Sequence, residues 1–259
     1  MTVDALIVTA LQVEHRAVRE HLRDIRAETV TGLAADIGWH DGNIRRRIAI
    51  IETGAGNVDA AILTARAEDA FRPAVVAMVG IAGGVKDVAV GDVVASSKVY
   101  WIEGGRQGTV LHPRPEIAPV SPSLVQIARA VAAEDRFLTY HAVVAPIVVA
   151  EKVLTDRGCE VVALIRNSYS DAVAVDMEDF GALRAARFTE RARVIAIRGI
   201  SDLIDGKPAT DAAGSQPLAA AHAAGFLFEM LNRLGPQRAS RVDALAGTGR
   251  CVYCGQPRR

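Results

Sequence analysis

The sequence predicts an α/β fold, a three-layer α/β/α single domain around a mixed, twisted central sheet. Short apolar runs alternate along the chain with segments of helical periodicity, and several runs are apolar at every position. A strand apolar on both sides is covered on both faces, and strand–helix alternation is how chains achieve that. The 259 residues, half of them apolar, suffice for one well-buried core.

The elements follow in order. Residues 5–10 (ALIVTA) read as a buried strand and 12–22 as a helix. Residues 47–52 form a strand that ends in the turn Thr53-Gly54-Ala55-Gly56. The next helix shows Val58, Ala61, Ile62 and Ala65 at the spacing of one apolar face. Residues 74–79 form an apolar strand ended by the turn Gly80-Ile81-Ala82-Gly83-Gly84. Residues 92–101 are β-like, and 104–121, rich in Gly and Pro, make a loop longer than a plain connector needs. A helix over 125–133, a strand over 142–149 and a weaker helix over 153–167 come next. Strands at 172–175 and 193–200 enclose a helix, and a last helix covers 218–234, with Pro217 as its start signal. Beyond that the chain turns polar and Arg-rich. The domain is therefore drawn over 1–234, with a flexible tail over 235–259. Arg45, Arg46 and Arg47 read as a solvated sheet edge.

Composition excludes several roles. Thirty basic residues balance thirty acidic ones, and aromatics make up 5%. Neither favours a nucleic-acid partner. No apolar run reaches the roughly 18–20 residues that span a bilayer, so no membrane partner is expected. No basic region precedes the first strand, so no signal peptide is expected. Three cysteines make no disulfide framework, which suits a cytoplasmic location. Cys251 and Cys254 have the spacing of half a zinc site. A plain tail is the simpler reading, and a metal site shared between subunits is the other.

Three carboxylates stand where a core or a turn needs none. Glu14 lies between Leu11 and Val18 on the stripe of the first helix that should be apolar. Glu178 follows the run AVAV at a helix start, and Asp202 follows VIAIRGI. In open α/β sheets the crevice beyond the carboxyl ends of strands binds ligands. Each residue also has a plainer reading. Glu14 and Glu178 suit a helix N-terminus by charge, Asp202 suits an N-cap, and Gly80–Gly84 suits a tight turn.

Together these segments resemble a known family, the purine nucleoside phosphorylase and methylthioadenosine nucleosidase superfamily, over about residues 3–234. VGIAGGVKDVAVGDVV resembles its Gly-Gly turn and following strand. AVDMEDFGA resembles its ribose motif, and IRGISDLIDGK its RxISDxxD motif. IETGAGNVDAA is closer to the nucleosidase branch. KVYWIEGGR also resembles phosphorylase-like domains of bacterial defence proteins. The resemblance implies a nucleoside phosphorylase-like fold, a homodimer or larger homo-oligomer, a small-molecule nucleoside or nucleotide substrate, and no cofactor.

It also implies roles. Glu14 activates the nucleophilic water and Asp202 assists departure of the base, with Ser201 beside it. Met177 and Glu178 hold the ribose, and Val153 and Leu154 flank the base. Ala10, Ile81, Ala82 and Gly83 complete the substrate-binding set. Ile81 stands where relatives carry a small hydroxyl residue, and VVAEKVL lacks the usual Ser-Gly. The chemistry fits: N-glycosidic cleavage builds positive charge on the sugar and negative charge on the base, which paired carboxyl groups answer. Two rivals remain open. Phosphorolysis would use Gly54 and its neighbours at a helix N-terminus, and Arg114 would reach a 5′-phosphate. A nucleotide sensor without turnover would be favoured by Ile81.

Overall fold

The structure is a computed structural model that describes residues 1–109, 111–134, 139–189, 191–204 and 214–235. Its centre is β1 (Ala5–Thr9), buried at every position. β1 pairs in parallel with β4 (Arg45–Glu52) on one side and β5 (Val75–Gly84) on the other. Beyond β4 come β3 (Leu33–Asp41) and β2 (Arg23–Val30), both antiparallel. β2 and β3 turn through Thr31 (φ 52°) and Gly32 (φ 76°), the left-handed pair that two-residue hairpins require.

On the other side β5 pairs in parallel with β12 (Arg193–Asp202). β6 (Val93–Trp101), β10 (Ala142–Val149) and β11 (Ala174–Asp176) follow. β11 then pairs antiparallel with the end of β5, Ala174 opposite Gly84 and Val175 opposite Gly83. This half of the sheet closes on itself. The closure carries residues 176–178 to the carboxyl ends of β5 and β12.

Helices cover both faces. α1 (Gln12–Arg19), α3 (Pro122–Ala132) and α6 (Ser215–Arg233) pack together, and α2 (Asn57–Phe71) packs with α5 (Asp179–Phe188) elsewhere. α4 (Glu160–Ser168) lies over a smaller cluster with Val148, Ile102 and Tyr169. The three-layer expectation with a mixed sheet holds.

Several local expectations do not. β5 runs on through Gly84 because β12 and β11 keep pairing with it, so Gly80–Gly84 is strand, not turn. The 104–121 segment carries β7 (Gly105–Gln107), β8 (Leu111–Pro113) and β9 (Glu116–Pro119), and β9 pairs with β6. Val153 and Leu154 precede α4 and are not helical. β4 is an interior strand, and Arg46 is buried, donating to Leu234 O at the end of α6. A cation suits a helix C-terminus, so this residue guards no edge. The Cys251 and Cys254 reading and the 236–259 tail lie outside the described residues.

The largest correction concerns α2. Val58 and Ile62 are 69% and 52% exposed. The buried face is Asn57, Ala60, Thr64, Ala67, Glu68 and Phe71. Polar pairs carry this contact with α5. Asn57 Oδ1 accepts from Gly181 N at 2.7 Å, and Thr189 donates to Glu68. Hydrophobic spacing misplaces a face on which Ala60, Ala67 and Phe71 alternate with buried polar residues.

The two helices touch at Gly181, where an added Cβ would lie 2.1 Å from the carbonyl oxygen of Asn57. Gly181→Ala is therefore expected to destabilise the protein by about 3 kcal/mol, the upper range for overpacking. Denaturant unfolding measures this, and a loss under about 1 kcal/mol would mean the helices separate freely.

Candidate active site

Three strand ends and the first turn of α1 converge on a cavity of about 210 Å³. From α1 and the segment before it come Ala10, Leu11 and Glu14. The end of β5 gives Ile81, Ala82 and Gly83. Met177 and Glu178 follow β11, and Ser201 and Asp202 end β12. Val153 and Leu154 close one side. All eleven residues expected to act in catalysis or to bind the nucleoside line this one cavity. Gly54 and Arg114 do not line it. Both are exposed, and Ala55 takes the place expected of Gly54.

A β-bulge between Ile200 and Asp202 explains how two consecutive residues reach the same cavity. Regular strand alternation would turn one of them away, and the extra residue of a bulge re-aims the side chains. Asp202 is buried. Its Oδ2 accepts from Ser201 Oγ at 3.1 Å, and its Oδ1 accepts from Ile204 N at 3.0 Å.

Glu14 is 2% exposed and held by backbone alone on three sides. Oε2 accepts from Ala10 N at 2.8 Å and Leu11 N at 2.9 Å, and Oε1 accepts from Ile81 N at 2.8 Å. A carboxylate in the first turn of α1 thus caps that helix and bridges to β5. The contact to residue 81 comes through its amide, so an isoleucine there keeps the anchor. Burial raises the pKa of Glu14, while Arg198 and the three amides oppose the rise.

Beneath this wall lies Arg198, wholly buried in the middle of β12. Asp176 touches its Nη2. Asp179 Oδ1 accepts from Nε at 3.0 Å and Nη2 at 2.7 Å. Glu178 Oε2 lies 3.3 Å from Nη2, and Glu14 Oε1 lies 3.7 Å from Nη1. One cation therefore serves four carboxyl groups. Burial alone would lower the pKa of Arg198, but Asp176, Asp179, Glu178 and Glu14 together drive it well above its usual value. Glu178 is raised by burial and held by Gly56 N at 3.0 Å.

Gly80 makes room for the cluster. It stands opposite Arg198 in the β5–β12 register. A Cβ there would lie 2.3 Å from both Arg198 Nη1 and Glu14 Oε1. Arg198, Asp176 and Asp179 were assigned no role from the sequence. The signal was present: an arginine inside the otherwise apolar run VIAIRGI must find buried partners. Among the described residues no group of three or more His, Cys, Asp and Glu is arranged to hold a metal ion.

Comparison with known proteins agrees with this architecture. The model of the phosphorylase superfamily matches residues 4–232. The chain belongs to the phosphorylase superfamily. It is similar to a 5′-methylthioadenosine/S-adenosylhomocysteine nucleosidase of Bacillus licheniformis, 24% identical over 238 residues and covering 88% of this chain and 98% of the relative. Its fold is similar to that of the corresponding nucleosidase of Colwellia psychrerythraea, solved with adenine. There the TM-score is 0.78 at 26% identity, over 93% of this chain and 99% of that one. The ATP nucleosidase Cap17 of Escherichia coli is 26% identical over 237 residues, but the match spans only 46% of it.

The cluster makes stability depend on pH. Burial first, then the neighbouring Asp179, pushes Asp176 up to about 8 against the pull of Arg198. A carboxyl raised on folding stabilises the fold while protonated, and the benefit is lost as pH rises through the folded value. The melting temperature is therefore expected to fall between pH 7 and 9, by roughly 2–4 °C for about 1 kcal/mol. Asp176→Asn should flatten that fall. Equal falls in both proteins would remove Asp176 as the cause.

Proposed function

We propose that the protein hydrolyses the N-glycosidic bond of a purine nucleoside. Glu14 takes the proton of the attacking water, Glu178 and Met177 hold the ribose, and Asp202 hydrogen-bonds the departing base. The observation that carries this reading is the cavity itself: Glu14 and Asp202 open into one space whose sugar side is rich in negative charge. Cleavage passes through a sugar cation, and fixed carboxylates aimed at developing charge stabilise it most in a water-poor site. The names of the relatives, nucleosidases acting on adenine nucleosides, support a purine base. The chemistry needs no metal and no organic cofactor.

Phosphorolysis fits less well. Gly56 N, one amide of the turn expected to face phosphate, already donates to Glu178. Lys152 is the one cation among the described residues lining the cavity, and it pairs with Glu103 at 3.5 Å. A phosphate dianion would face four carboxyl groups and, among the described residues, this paired lysine alone. With Arg114 away from the cavity, a nucleoside or thio-nucleoside is the preferred substrate over a nucleotide.

A homo-oligomer fits the exposed Val58 and Ile62, one turn apart on α2 and close in sequence to the cavity-lining Ala55. The sparse cysteines fit a cytoplasmic enzyme. Among the described residues no helix is long and apolar enough to cross a membrane.

The test is incubation with a panel of purine nucleosides and nucleotides, with and without phosphate. Free base and ribose without phosphate are expected. Ribose phosphate would mean a phosphorylase, and binding without products a sensor. Asp202→Asn is expected to lower kcat about 10²-fold or more with the fold intact. Near-normal turnover would remove Asp202 from the mechanism.

A further inference from the structure

We propose that Asp176 and Asp179 form a proton-sharing carboxyl pair that positions Arg198, and through it Glu14, for the reaction. The proposal rests on the nucleosidase reading above and adds Asp179, a residue that lines no part of the cavity.

The geometry begins with counting donors. Asp179 Oδ1 takes two N–H groups of Arg198, and Asp176 Oδ2 takes Arg198 Nη2 and the backbone amides of Glu178 and Asp179. The other two oxygens, Asp176 Oδ1 and Asp179 Oδ2, are buried and have no donor among the described residues. Yet Asp176 Oδ2 and Asp179 Oδ1 accept from the same nitrogen, Arg198 Nη2, which sets the two carboxyls side by side. Two carboxylates cannot bond to each other without a proton, and an unmet buried acceptor is costly. A single proton on Asp176, shared with Asp179, removes one of two adjacent like charges and gives the pair a donor it otherwise lacks.

Charge points the same way. Four ionised carboxyls around one guanidinium would leave three uncompensated negative charges on buried side chains. Keeping one proton in the pair leaves Glu14 and Glu178 free to be carboxylates. Like carboxyls sharing a site part in this manner, one ionising easily and the other late. The assignment to Asp176 follows from its place. It sits at the end of β11 facing Arg198 from β12, Glu14 from α1, and Glu178 and Asp179 at the start of α5. Asp179 has the better grip on Arg198 and keeps the charge.

Asp179 then acts by holding the guanidinium edge-on. With Nε and Nη2 bound to Asp179, Nη1 is left to face Ile81 O at 3.3 Å and Glu14 at 3.7 Å. That longer separation matters: an arginine pulled fully onto Glu14 would hold it as an ion pair and weaken it as a base. Asp179 is a positioning residue, and its loss should act on kcat more than on KM.

The experiment compares wild type, Asp176→Asn and Asp179→Asn by infrared spectroscopy and kinetics. At pH 7 the wild type is expected to show the carbonyl stretch of a buried protonated carboxyl, lost as pH rises through about 8. Asp176→Asn should lack it. Asp179→Asn should shift its loss to lower pH by about one unit or more, because the neighbouring negative charge is gone. At pH 7, Asp179→Asn should lower kcat at least about tenfold further than Asp176→Asn, with KM changed less than about threefold. The neutral amide replaces a neutral acid in one variant and a charge in the other. Absence of the protonated carboxyl, or its survival unchanged in Asp176→Asn, overturns the pair. Equal loss of kcat in both variants overturns the positioning role. The infrared arm needs no substrate, so a protein that shows the pair but cleaves no nucleoside would refute the proposed function alone.

Discussion

The guanidinium of Arg198 is the constraint around which the rest of the site is arranged. It lies in the middle of a core strand, where an unpaired charge would cost more than the domain's whole stability margin. Four carboxyl groups from α1, β11 and the start of α5 meet it. Each of those groups then needs further donors, and they come from backbone: Ala10, Leu11 and Ile81 for Glu14, Gly56 for Glu178. The network ties α1, α2, α5, β5 and β12 to one point. The geometry of the cavity and the fold rest here on the same set of hydrogen bonds, so the cavity cannot be assembled piecemeal.

Closure of the sheet is what allows it. In an open sheet, β10, β6 and β12 would separate β11 from β5, with Asp176 far from Asp202. The antiparallel contact of Ala174 and Val175 with Gly84 and Gly83 bends the sheet round. Residues far apart in sequence, from Glu14 to Asp202, then share about 210 Å³.

How much of this the sequence showed follows from what each residue does locally. Glu14, Glu178 and Asp202 stood out because a charge on an apolar stripe or at a strand end is a local anomaly. Their family motif added the ribose and base contacts. Asp179 did not stand out, since an acid in the first turn of a helix needs no explanation. Arg198 was inside a quoted motif, yet its partners come from four other elements, and spacing reports nothing about those. β2 and β3 went unread although Leu33, Ala35 and Ile37 alternate inward, because β2 is charged and mostly exposed. The face of α2 was misread for the opposite reason. Its exposed side carries Val58 and Ile62 beside Asp59, Arg66 and Asp69, and its buried side mixes Ala60, Ala67 and Phe71 with Asn57, Thr64 and Glu68. Periodicity goes astray where buried polar residues interrupt the core face and large apolar ones stand on the outside.

The amide of residue 81 carries one last consequence. Because Glu14 is anchored by a peptide N–H and not by a hydroxyl side chain, position 81 owes nothing to the carboxylate. Its side chain still forms part of the cavity wall. Drift at that position can reshape what the site admits while the charge beneath it stays fixed. A scaffold that separates its reactive groups from its shape-selecting ones in this way is free to change diet without relearning its chemistry.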